Sequence, residues 1–498
     1  MNIEPQDPAT IIIFGASGDL TRRKLIPALY NLHCKKRIPE ETKIIGFARR
    51  PYYNDTFRAK QKEGLLQFSK DSFDEQTWSE FAPKIEYFQG DLNNVEDYQK
   101  LEDYLQNSRA YPANRIYYLA TSPDFYTSSV TYLGANGMTI QEKGDRKIVI
   151  EKPFGKDLSS AESLNRILHA AFDESQIFRI DHFLGKETAQ NIMIFRFANS
   201  IFEPIWNRRY VSNVQITVAE AVDAGHRAGY YDEAGVLRDM FQNHLLQLMT
   251  LIALEPPSSF EANALRNEKV KVLKAVRPIN NADTVLAQYK GYLDEQGVKP
   301  DSRTPTYAAI NLFIDNWRWK GVPFYLRSGK ALAKKSSEIV IEFQSPPHLM
   351  FALPTEYKIA SNTLSICIQP DEGIHLKFEA KLPDSTLETR SVIMDFHYLS
   401  SFGEHAIPDA YERLLVDTFN GDASLFARSD EIEQAWKIID PVIQGWENRN
   451  APPLGMYKRG SSGPIEAINL LGRNKHTWHR GCGEHMKSYA KHTHTPEC

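Results

Sequence analysis

Cysteine is scarce in this sequence, and the few residues present show no paired spacing. Of 498 residues only four are cysteines, namely Cys34, Cys367, Cys482 and Cys498. Small secreted scaffolds are held together by many closely spaced cysteines, so this composition excludes that class. We expect a reduced, cytoplasmic protein without a disulfide framework.

Long apolar runs and an excess of positive charge are also missing. No window holds the roughly 18 uninterrupted apolar residues that a membrane span requires, and the first residues lack the pattern of a secretory signal. The formal net charge is -4, whereas nucleic-acid-binding domains usually carry a basic excess. We therefore expect neither a membrane nor a nucleic acid as a partner. A phosphorylated small molecule stays open, because a few local cations suffice to bind one.

Short apolar runs alternate with segments of helix length in the first part of the chain. The runs are 10–15, 43–48, 85–90, 115–120, 146–151 and 177–181. Continuous apolar strands with helices between them are typical of a parallel sheet covered on both faces. The sequence predicts a Rossmann-type, doubly wound α/β domain over residues 1–185.

The pattern changes after residue 210. In 211–221 apolar and polar residues alternate, as in a strand with one wet face. Further strand-like runs follow at 307–319, 322–326, 338–343, 363–369, 373–378 and 390–397. Most are joined by short connections, which favours a large, mainly antiparallel sheet. Helical periodicity occurs at 235–254, 410–420 and 430–444. We predict a larger α+β domain over 186–480.

The last residues are rich in histidine. His476, His479, His485, His492 and His494 lie there beside two of the four cysteines. Such tracts can bind metal, but no pair has zinc-finger spacing. We expect an unstructured tail at 481–498 and no metal site.

A glycine turn follows the first apolar run and precedes a helical segment. Gly15 and Gly18 would let the backbone approach a pyrophosphate at a helix N-terminus. A tight strand–helix turn without a ligand is the alternative. The second run ends in Arg49 and Arg50, where an NAD-specific enzyme would present an acidic residue. Arginine suits a 2′-phosphate, so NADP is favoured over NAD, unless the two arginines are merely a solvated pair.

Two further runs end in charged residues, at the edge where open α/β sheets bind ligands. Lys152 follows the fifth run, and Asp181, His182 and Lys186 follow the sixth. His182 and Lys186 are four residues apart, so a helical turn would place both on one side, as a cradle for a phosphate. Structural salt bridges are the alternative at both places.

A third charged segment lies in an apolar helix. His244 stands among apolar neighbours, where a histidine is commonly a satisfied core residue. Asp239 lies five residues earlier, roughly 140° away around an α-helix. The two residues then cannot lie on the same face of the helix. Both can contact one ligand only if the pocket wraps around the helix.

Several segments together resemble the glucose-6-phosphate dehydrogenase family. They run in the family's order to about residue 480: GASGDL (15–20), GFARR (46–50), EKPFG (151–155), RIDHFLGKE (179–187), GYYDEAGVLRDMFQNHLLQ (229–247), PFYLRSGKAL (323–332) and DAYERLL (409–415). The pairing of RIDH-x-LGKE with RD-x-x-QNHLLQ is highly specific. The resemblance implies oxidation of glucose 6-phosphate to 6-phosphogluconolactone with NADP⁺, the first step of the oxidative pentose phosphate pathway, in a homodimer or homotetramer.

The resemblance also implies roles for single residues. His244 matches the general base, and Asp181 matches the carboxylate that orients and polarises it. The implied substrate-binding residues are His182, Lys186, Glu220, Asp239, Lys335 and Lys152. The implied cofactor-binding residues are Gly15, Ser17, Gly18, Asp19, Leu20, Arg50, Asp91, Leu92 and, again, Lys152.

Phe183 departs from the family, which usually has tyrosine at this position. One hydroxyl that could donate a hydrogen bond to the phosphate is therefore missing. We expect phosphate binding to be weaker by about 1 kcal/mol. Two other functions stay open. One is an enzyme of the glucose–fructose oxidoreductase type that acts on an unphosphorylated sugar. The other is a non-catalytic NADP-sensing regulator.

Overall fold

The structure is a computed structural model that describes residues 7–69, 72–108, 110–348, 350, 359–385, 388–403, 407–448 and 451–479. The predicted tail at 481–498 lies outside the described residues. The chain divides into two compact units. The first contains the described residues up to Lys186 together with Pro257–Asn267 and Pro408–Glu433, and the second contains the remainder.

The structure contains sixteen strands in two sheets within the described ranges. In chain order they are β1 (Ala9–Phe14), β2 (Lys43–Ala48), β3 (Ile85–Gln89), β4 (Asn114–Leu119), β5 (Arg146–Ile150), β6 (Ile177–Ile180), β7 (Val211–Ala219), β8 (Thr284–Tyr289), β9 (Tyr307–Phe313), β10 (Pro323–Gly329), β11 (Ser336–Phe343), β12 (Thr363–Gln369), β13 (Gly373–Lys381), β14 (Thr389–His397), β15 (Phe426–Ala427) and β16 (Gly455–Tyr457).

The helices of the described residues separate most of these strands. They are α1 (Ile26–Cys34), α2 (Asn54–Phe68), α3 (Glu75–Phe81), α4 (Val95–Gln106), α5 (Tyr126–Ala135), α6 (Leu158–Ala171), α7 (Glu187–Phe197), α8 (Ala228–Val236), α9 (Leu246–Ala253), α10 (Ala262–Lys274), α11 (Tyr398–Phe402), α12 (Ala410–Asn420), α13 (Ser429–Glu447) and α14 (Ile465–Gly472). Two π-helical stretches, Thr21–Leu25 and Leu237–Leu245, lead directly into α1 and α9. Among the residues described, no helix combines the length and the hydropathy needed to cross a membrane.

The sheet of the first unit has the order β15-β6-β5-β4-β1-β2-β3. Strands β1 to β6 are parallel, and the chain reverses its direction across the sheet between β1 and β4. This doubly wound arrangement confirms the predicted Rossmann-type fold. In open α/β sheets, ligands bind at the carboxyl ends of the strands beside such a switch point.

One segment assigned by sequence to the second domain belongs to the first unit. Residues 408–433 contribute β15, which pairs antiparallel with β6. The buried Arg179 guanidinium donates to Glu174, at 2.6 Å, and to Asn165, at 3.0 Å, while the Lys147 ammonium donates to the Phe419 carbonyl at 2.8 Å. The prediction was wrong here because β15 has two residues, too few for a sequence pattern. Its position covers a strand edge that would otherwise be open. Pro257–Asn267 also joins this unit.

The sheet of the second unit has the order β14-β13-β12-β11-β7-β10-β9-β8-β16. Its neighbours are antiparallel except for the pairs β7–β10 and β8–β16. The prediction of a large, mainly antiparallel sheet is confirmed, although β8 and β16 were not predicted.

The cysteines differ from the expectation at one position. Cys34 is an exposed free thiol, but Cys367, fully buried in β12, is disulfide-bonded. The prediction of reduced cysteines is therefore wrong for Cys367. Spacing along the chain carries no information about which distant cysteines approach each other in the fold.

Candidate active site

The glycine turn of the first unit is shaped for a close approach of a ligand. Gly15 has φ +85°, and a Cβ there would lie 2.5 Å from the Ala120 carbonyl oxygen, at the end of β4. The Gly15 N–H donates to the Phe47 carbonyl at 2.9 Å, and the Gly18 N–H donates to the Gly15 carbonyl at 2.9 Å. This turn occupies the switch point between β1 and β4 and leads into a helix through Leu20. Its bare backbone and helix N-terminus fit the pyrophosphate of a dinucleotide.

The end of β2 carries the two exposed arginines. The Tyr87 hydroxyl lies 2.8 Å from the Ala48 carbonyl and 2.5 Å from the Arg50 carbonyl, which fixes the backbone at this point. The Arg50 guanidinium beside the Tyr52 hydroxyl lowers the pKa of Tyr52. The backbone of Arg50 is thus fixed by a hydrogen bond, and its side chain is exposed. Both features suit a residue that binds a phosphate.

The residues after β3 form a tight turn. The Asp91 carboxylate accepts a hydrogen bond from the Asn93 N–H at 2.9 Å, and the Asp91 N–H donates to the Asp97 carboxylate at 3.0 Å. Leu92 is buried, with 8% of its surface exposed. Both residues lie at the carboxyl end of β3, next to the end of β2 in the sheet.

The end of β5 places a carboxylate and an ammonium side by side. The Tyr118 hydroxyl donates to the Glu151 carboxylate at 2.6 Å, and the Tyr126 hydroxyl donates to the Glu151 carbonyl at 2.9 Å. Loss of hydration raises the pKa of Glu151 to about 7, although hydrogen bonds from Tyr118 and Tyr411 and the charge of Lys152 act in the opposite direction. The peptide bond between Lys152 and Pro153 is cis.

The turn after β6 gathers the charged residues of the RIDHFLGKE segment. Asp181 is 2% exposed, and its carboxylate accepts a hydrogen bond from the Phe183 N–H at 2.9 Å. The Phe183 ring lies 5.1 Å from the His182 ring, between centroids, and 4.7 Å from the Lys186 ammonium. The structure therefore brings His182 and Lys186 to one aromatic ring. The phosphate cradle expected from their four-residue spacing stays a prediction. The weaker phosphate binding expected from Phe183 stays a prediction.

The helix with Asp239 and His244 differs from the α-helix assumed in the sequence analysis. Residues Leu237–Leu245 are π-helical, so hydrogen bonds join residues five apart rather than four. Each turn takes up more residues than in an α-helix, so the 140° separation, which assumes an α-helix, does not apply to Asp239 and His244. His244 is 1% exposed. Its backbone N–H donates to the side-chain oxygen of Asn243 at 2.6 Å.

A cluster of charged side chains in the second unit surrounds Tyr231. The Lys330 ammonium lies 2.5 Å from the Glu220 carboxylate and 4.8 Å from the centroid of the Tyr231 ring. Burial raises the pKa of Tyr231 well above its usual value, and the nearby charges of Asp239 and Glu220 add to this. The structure thus brings Glu220 and Asp239 to one neighbourhood. Lys335 is exposed and directly precedes β11.

Comparison with known proteins gives the same assignment over nearly the whole chain. Residues 12–191 match the family "Glucose-6-phosphate dehydrogenase, NAD binding domain", and residues 193–479 match "Glucose-6-phosphate dehydrogenase, C-terminal domain". This chain belongs to the glucose-6-phosphate dehydrogenase family. The resemblance seen in the sequence motifs is thereby confirmed.

Individual members of this family align end to end with the chain. A glucose-6-phosphate 1-dehydrogenase of Chlamydia pneumoniae is 40% identical over 491 residues, covering 95% of this chain and 96% of the relative. One of Borreliella burgdorferi is 44% identical over 484 residues, covering 94% and 98%. A solved structure described as "Glucose-6-phosphate dehydrogenase in complex with its substrate glucose-6-phosphate" has a TM-score of 0.88 and 37% identity, covering 95% of this chain and 99% of that one.

Lys330 and Glu151 were not among the site residues predicted from sequence. Lys330 lies in the motif segment PFYLRSGKAL and Glu151 in EKPFG. The sequence motifs could therefore have indicated that both residues lie near the site. What the motifs did not reveal is the contact of Lys330 with Glu220, 110 residues away, and the packing that dehydrates Glu151. Both effects arise from pairing between distant elements.

The proton affinity of Glu151 leads to a prediction about pH. The pKa of Glu151 is raised from 4.5 to about 7 in the folded protein, so the folded state binds this proton more tightly than the unfolded chain does. The stabilisation of the folded state by this proton is fully present below the pKa that Glu151 has in the unfolded chain. It is lost as the pH rises through the pKa that Glu151 has in the folded protein. Between about pH 5 and about pH 8, we expect the melting temperature of the wild type to fall relative to that of Glu151→Gln.

The matched control for this measurement is Glu142→Gln, which changes an exposed glutamate of the same unit. Its melting temperature should follow the wild type at every pH. A constant difference between the wild type and Glu151→Gln over this range would contradict the raised pKa.

Proposed function

We propose that this protein oxidises D-glucose 6-phosphate at C1 to 6-phospho-D-glucono-1,5-lactone, with NADP⁺ as the hydride acceptor. The observation that carries the proposal is the end-to-end likeness to a dehydrogenase whose solved structure holds glucose 6-phosphate. It is supported by the charged motif residues Lys152, Asp181 and His182, which follow the carboxyl ends of the parallel strands β5 and β6. The coarser conclusion, a dehydrogenase with a nicotinamide-binding domain, follows from the family itself.

The residues of the first unit would bind the cofactor and the phosphate. The glycine turn from Gly15 to Leu20 fits a pyrophosphate, and the exposed Arg50 suits a 2′-phosphate, because its guanidinium is always charged and can form two parallel hydrogen bonds. Asp91 and Leu92 would line the adenine side, and Lys152 would reach both cofactor and substrate. NADP⁺, when bound, accepts the hydride that leaves C1.

His182 and Lys186 would bind the phosphate of the sugar. The two side chains share the Phe183 ring, so the ring limits where the imidazole and the ammonium can move. Two cationic or hydrogen-bonding groups with restricted positions suit a dianion better than flexible ones, because less conformational entropy is lost on binding.

The residues that would bind the sugar and move the proton belong to the second unit, except for Asp181, which belongs to the first. His244 is the proposed general base, which takes the proton of the C1 hydroxyl while the hydride departs. Asp181 is the proposed carboxylate that orients the imidazole and stabilises its charged form. Glu220, Asp239 and Lys335 would hold the sugar hydroxyls or the phosphate. We add Lys330 to this set, because its ammonium is paired with Glu220.

We further propose a cytoplasmic homodimer or homotetramer built on the second sheet. The outer strand β14 and the following helix α11 expose large apolar side chains: Met394 is 63% exposed, Leu399 61% and Phe402 66%. Clustered apolar side chains at a sheet edge are typical of a surface that another protein copy covers.

The substrate assignment is tested by following NADPH absorbance with purified protein. We expect turnover with glucose 6-phosphate and NADP⁺ and a much lower kcat/KM with glucose, because the anion-binding residues would find no phosphate. Comparable kcat/KM values for glucose and glucose 6-phosphate would favour an oxidoreductase of unphosphorylated sugars. Binding of NADP⁺ without turnover of any sugar phosphate would favour a regulator.

The role of His244 is tested by His244→Asn. We expect kcat to fall by about 10²- to 10⁴-fold, the usual contribution of a general base, while the KM for glucose 6-phosphate changes by only a few-fold. His226→Asn alters an exposed histidine of the same unit and should leave both constants unchanged. Equal losses in substrate binding and turnover would instead assign His244 a structural role.

The cofactor preference is tested by Arg50→Ala. Loss of charge-assisted hydrogen bonds to a 2′-phosphate should raise the KM for NADP⁺ by about 10- to 100-fold, with little effect on the KM for NAD⁺. Arg49→Ala, at the neighbouring exposed arginine, is the matched comparison. A uniform loss for both nucleotides would show that Arg50 does not read the 2′-phosphate.

A further inference from the structure

A lysine that lies outside every motif segment approaches the end of β2 in the first unit. Lys60 is an exposed residue of α2, and its ammonium lies 5.0 Å from the centroid of the Tyr52 ring. Tyr52 stands two residues after Arg50, in the turn between β2 and α2. Hydrogen bonds to the Tyr52 hydroxyl, first from Arg50 and then from Lys60, lower the pKa of Tyr52 against the effect of burial. Tyr52 thus connects a cation of α2 with a cation at the end of β2.

Neighbouring aromatic rings and backbone hydrogen bonds fix the position of Tyr52. The centroid of its ring lies 5.4 Å from that of Tyr87, edge to face, and 6.4 Å from that of the buried Phe57. The Tyr52 N–H donates to the Arg50 carbonyl at 3.0 Å, and the Tyr87 hydroxyl donates to the same carbonyl at 2.5 Å. The tyrosine is therefore held against β3, while the side chains of Arg50 and Lys60 are exposed.

The positive charge around Tyr52 is not balanced by a carboxylate among the described residues. Two residues further along α2, the Lys62 ammonium is paired with the Glu75 carboxylate at 2.5 Å. Neither Lys60 nor Arg50 forms an ion pair with any part of the chain that the structure describes. Two cations at one tyrosine therefore leave a local excess of positive charge, which attracts an anion.

The hydrogen-bonding capacity of the Tyr52 hydroxyl favours the same kind of ligand. A tyrosine hydroxyl can both donate and accept, whereas arginine and lysine only donate. The Tyr52 oxygen therefore accepts from Arg50 and Lys60 and keeps its own hydrogen for an acceptor. A phosphate oxygen is a charged acceptor and can interact with the hydroxyl and both cations together. An uncharged ribose hydroxyl would gain much less from the two cations.

We propose that Lys60 and Tyr52 bind the 2′-phosphate together with Arg50 and so contribute to the preference for NADP⁺ over NAD⁺. This inference rests on the proposed function, in which the cofactor carries a 2′-phosphate. Lys60 supplies a second positive charge, and Tyr52 supplies one hydrogen bond and keeps the two cations at one place. The rest of the nucleotide is common to NADP⁺ and NAD⁺, so loss of either side chain should weaken the binding of NADP⁺ alone.

Binding of adenosine 2′,5′-bisphosphate tests the site without turnover, because this probe carries the 2′-phosphate but no nicotinamide. Its Kd is measured on the full-length protein by isothermal titration calorimetry. Lys60→Met should raise the Kd by about 10-fold, the usual loss for one charge-assisted hydrogen bond, and Tyr52→Phe by about 5-fold. Lys60→Arg keeps the charge and should stay close to the wild type. Because Lys60 is exposed, Lys60→Met remains a valid test even if Tyr52→Phe is less stable.

Lys62→Met is the matched control, because it removes the same charge from the same helix. Lys62 lies two residues beyond Lys60, roughly 200° further around an α-helix, and is paired with Glu75. Its substitution should leave the Kd for the bisphosphate unchanged. Equal weakening in Lys60→Met and Lys62→Met would show an effect of net charge without contact and would overturn the proposal. An unchanged Kd in Lys60→Met would also overturn it.

Steady-state kinetics separates the role of Lys60 and Tyr52 from that of Arg50. Lys60→Met and Tyr52→Phe should raise the KM for NADP⁺ and leave kcat and the KM for NAD⁺ unchanged. If Arg50→Ala raises the KM for NADP⁺ selectively while Lys60→Met and Tyr52→Phe do not, Arg50 reads the 2′-phosphate without them and the proposal is wrong. If none of the three variants shows a selective effect, or if the wild type does not bind the bisphosphate, the proposed cofactor preference fails as well.

Discussion

The site depends on carboxylates kept in poorly hydrated surroundings at the ends of parallel strands. Taking a carboxylate out of water costs free energy unless hydrogen bonds or cations replace the lost hydration. Glu151 follows β5 and is bonded by the Tyr118 hydroxyl, and Asp181 follows β6 and is bonded by the Phe183 N–H. Because groups of the same unit supply these bonds, the fold sets both positions before any ligand binds.

A comparable constraint acts on the helix of the second unit. His244 is buried in a π-helical stretch that also contains Asp239. Such turns are rare and often mark functional positions. The cost of the irregular hydrogen bonding is offset by the surrounding core, because the residues from Phe241 onward are buried through the end of α9.

The elements that sequence predicted well are those with a strong local pattern. Strands β1 to β6 are short, largely apolar runs, and their parallel pairing follows from the helices between them. β15 could not be predicted, because two residues carry no periodicity and their place beside β6 depends on a contact some 250 residues along the chain. The motif residues of the site were named from sequence, but Lys330 emerged only from its pairing with Glu220.

By itself, the sequence determined the family, the two kinds of sheet and the residue types available for chemistry, because local hydrophobic patterns and short motifs are written along the chain. Tertiary structure alone decided which of those residues meet. It set the pairing of Lys330 with Glu220, the dehydration that raises the pKa of Glu151, and the contact of His375 with His397. Each of these depends on side chains from different elements sharing one small volume, and linear spacing does not encode that.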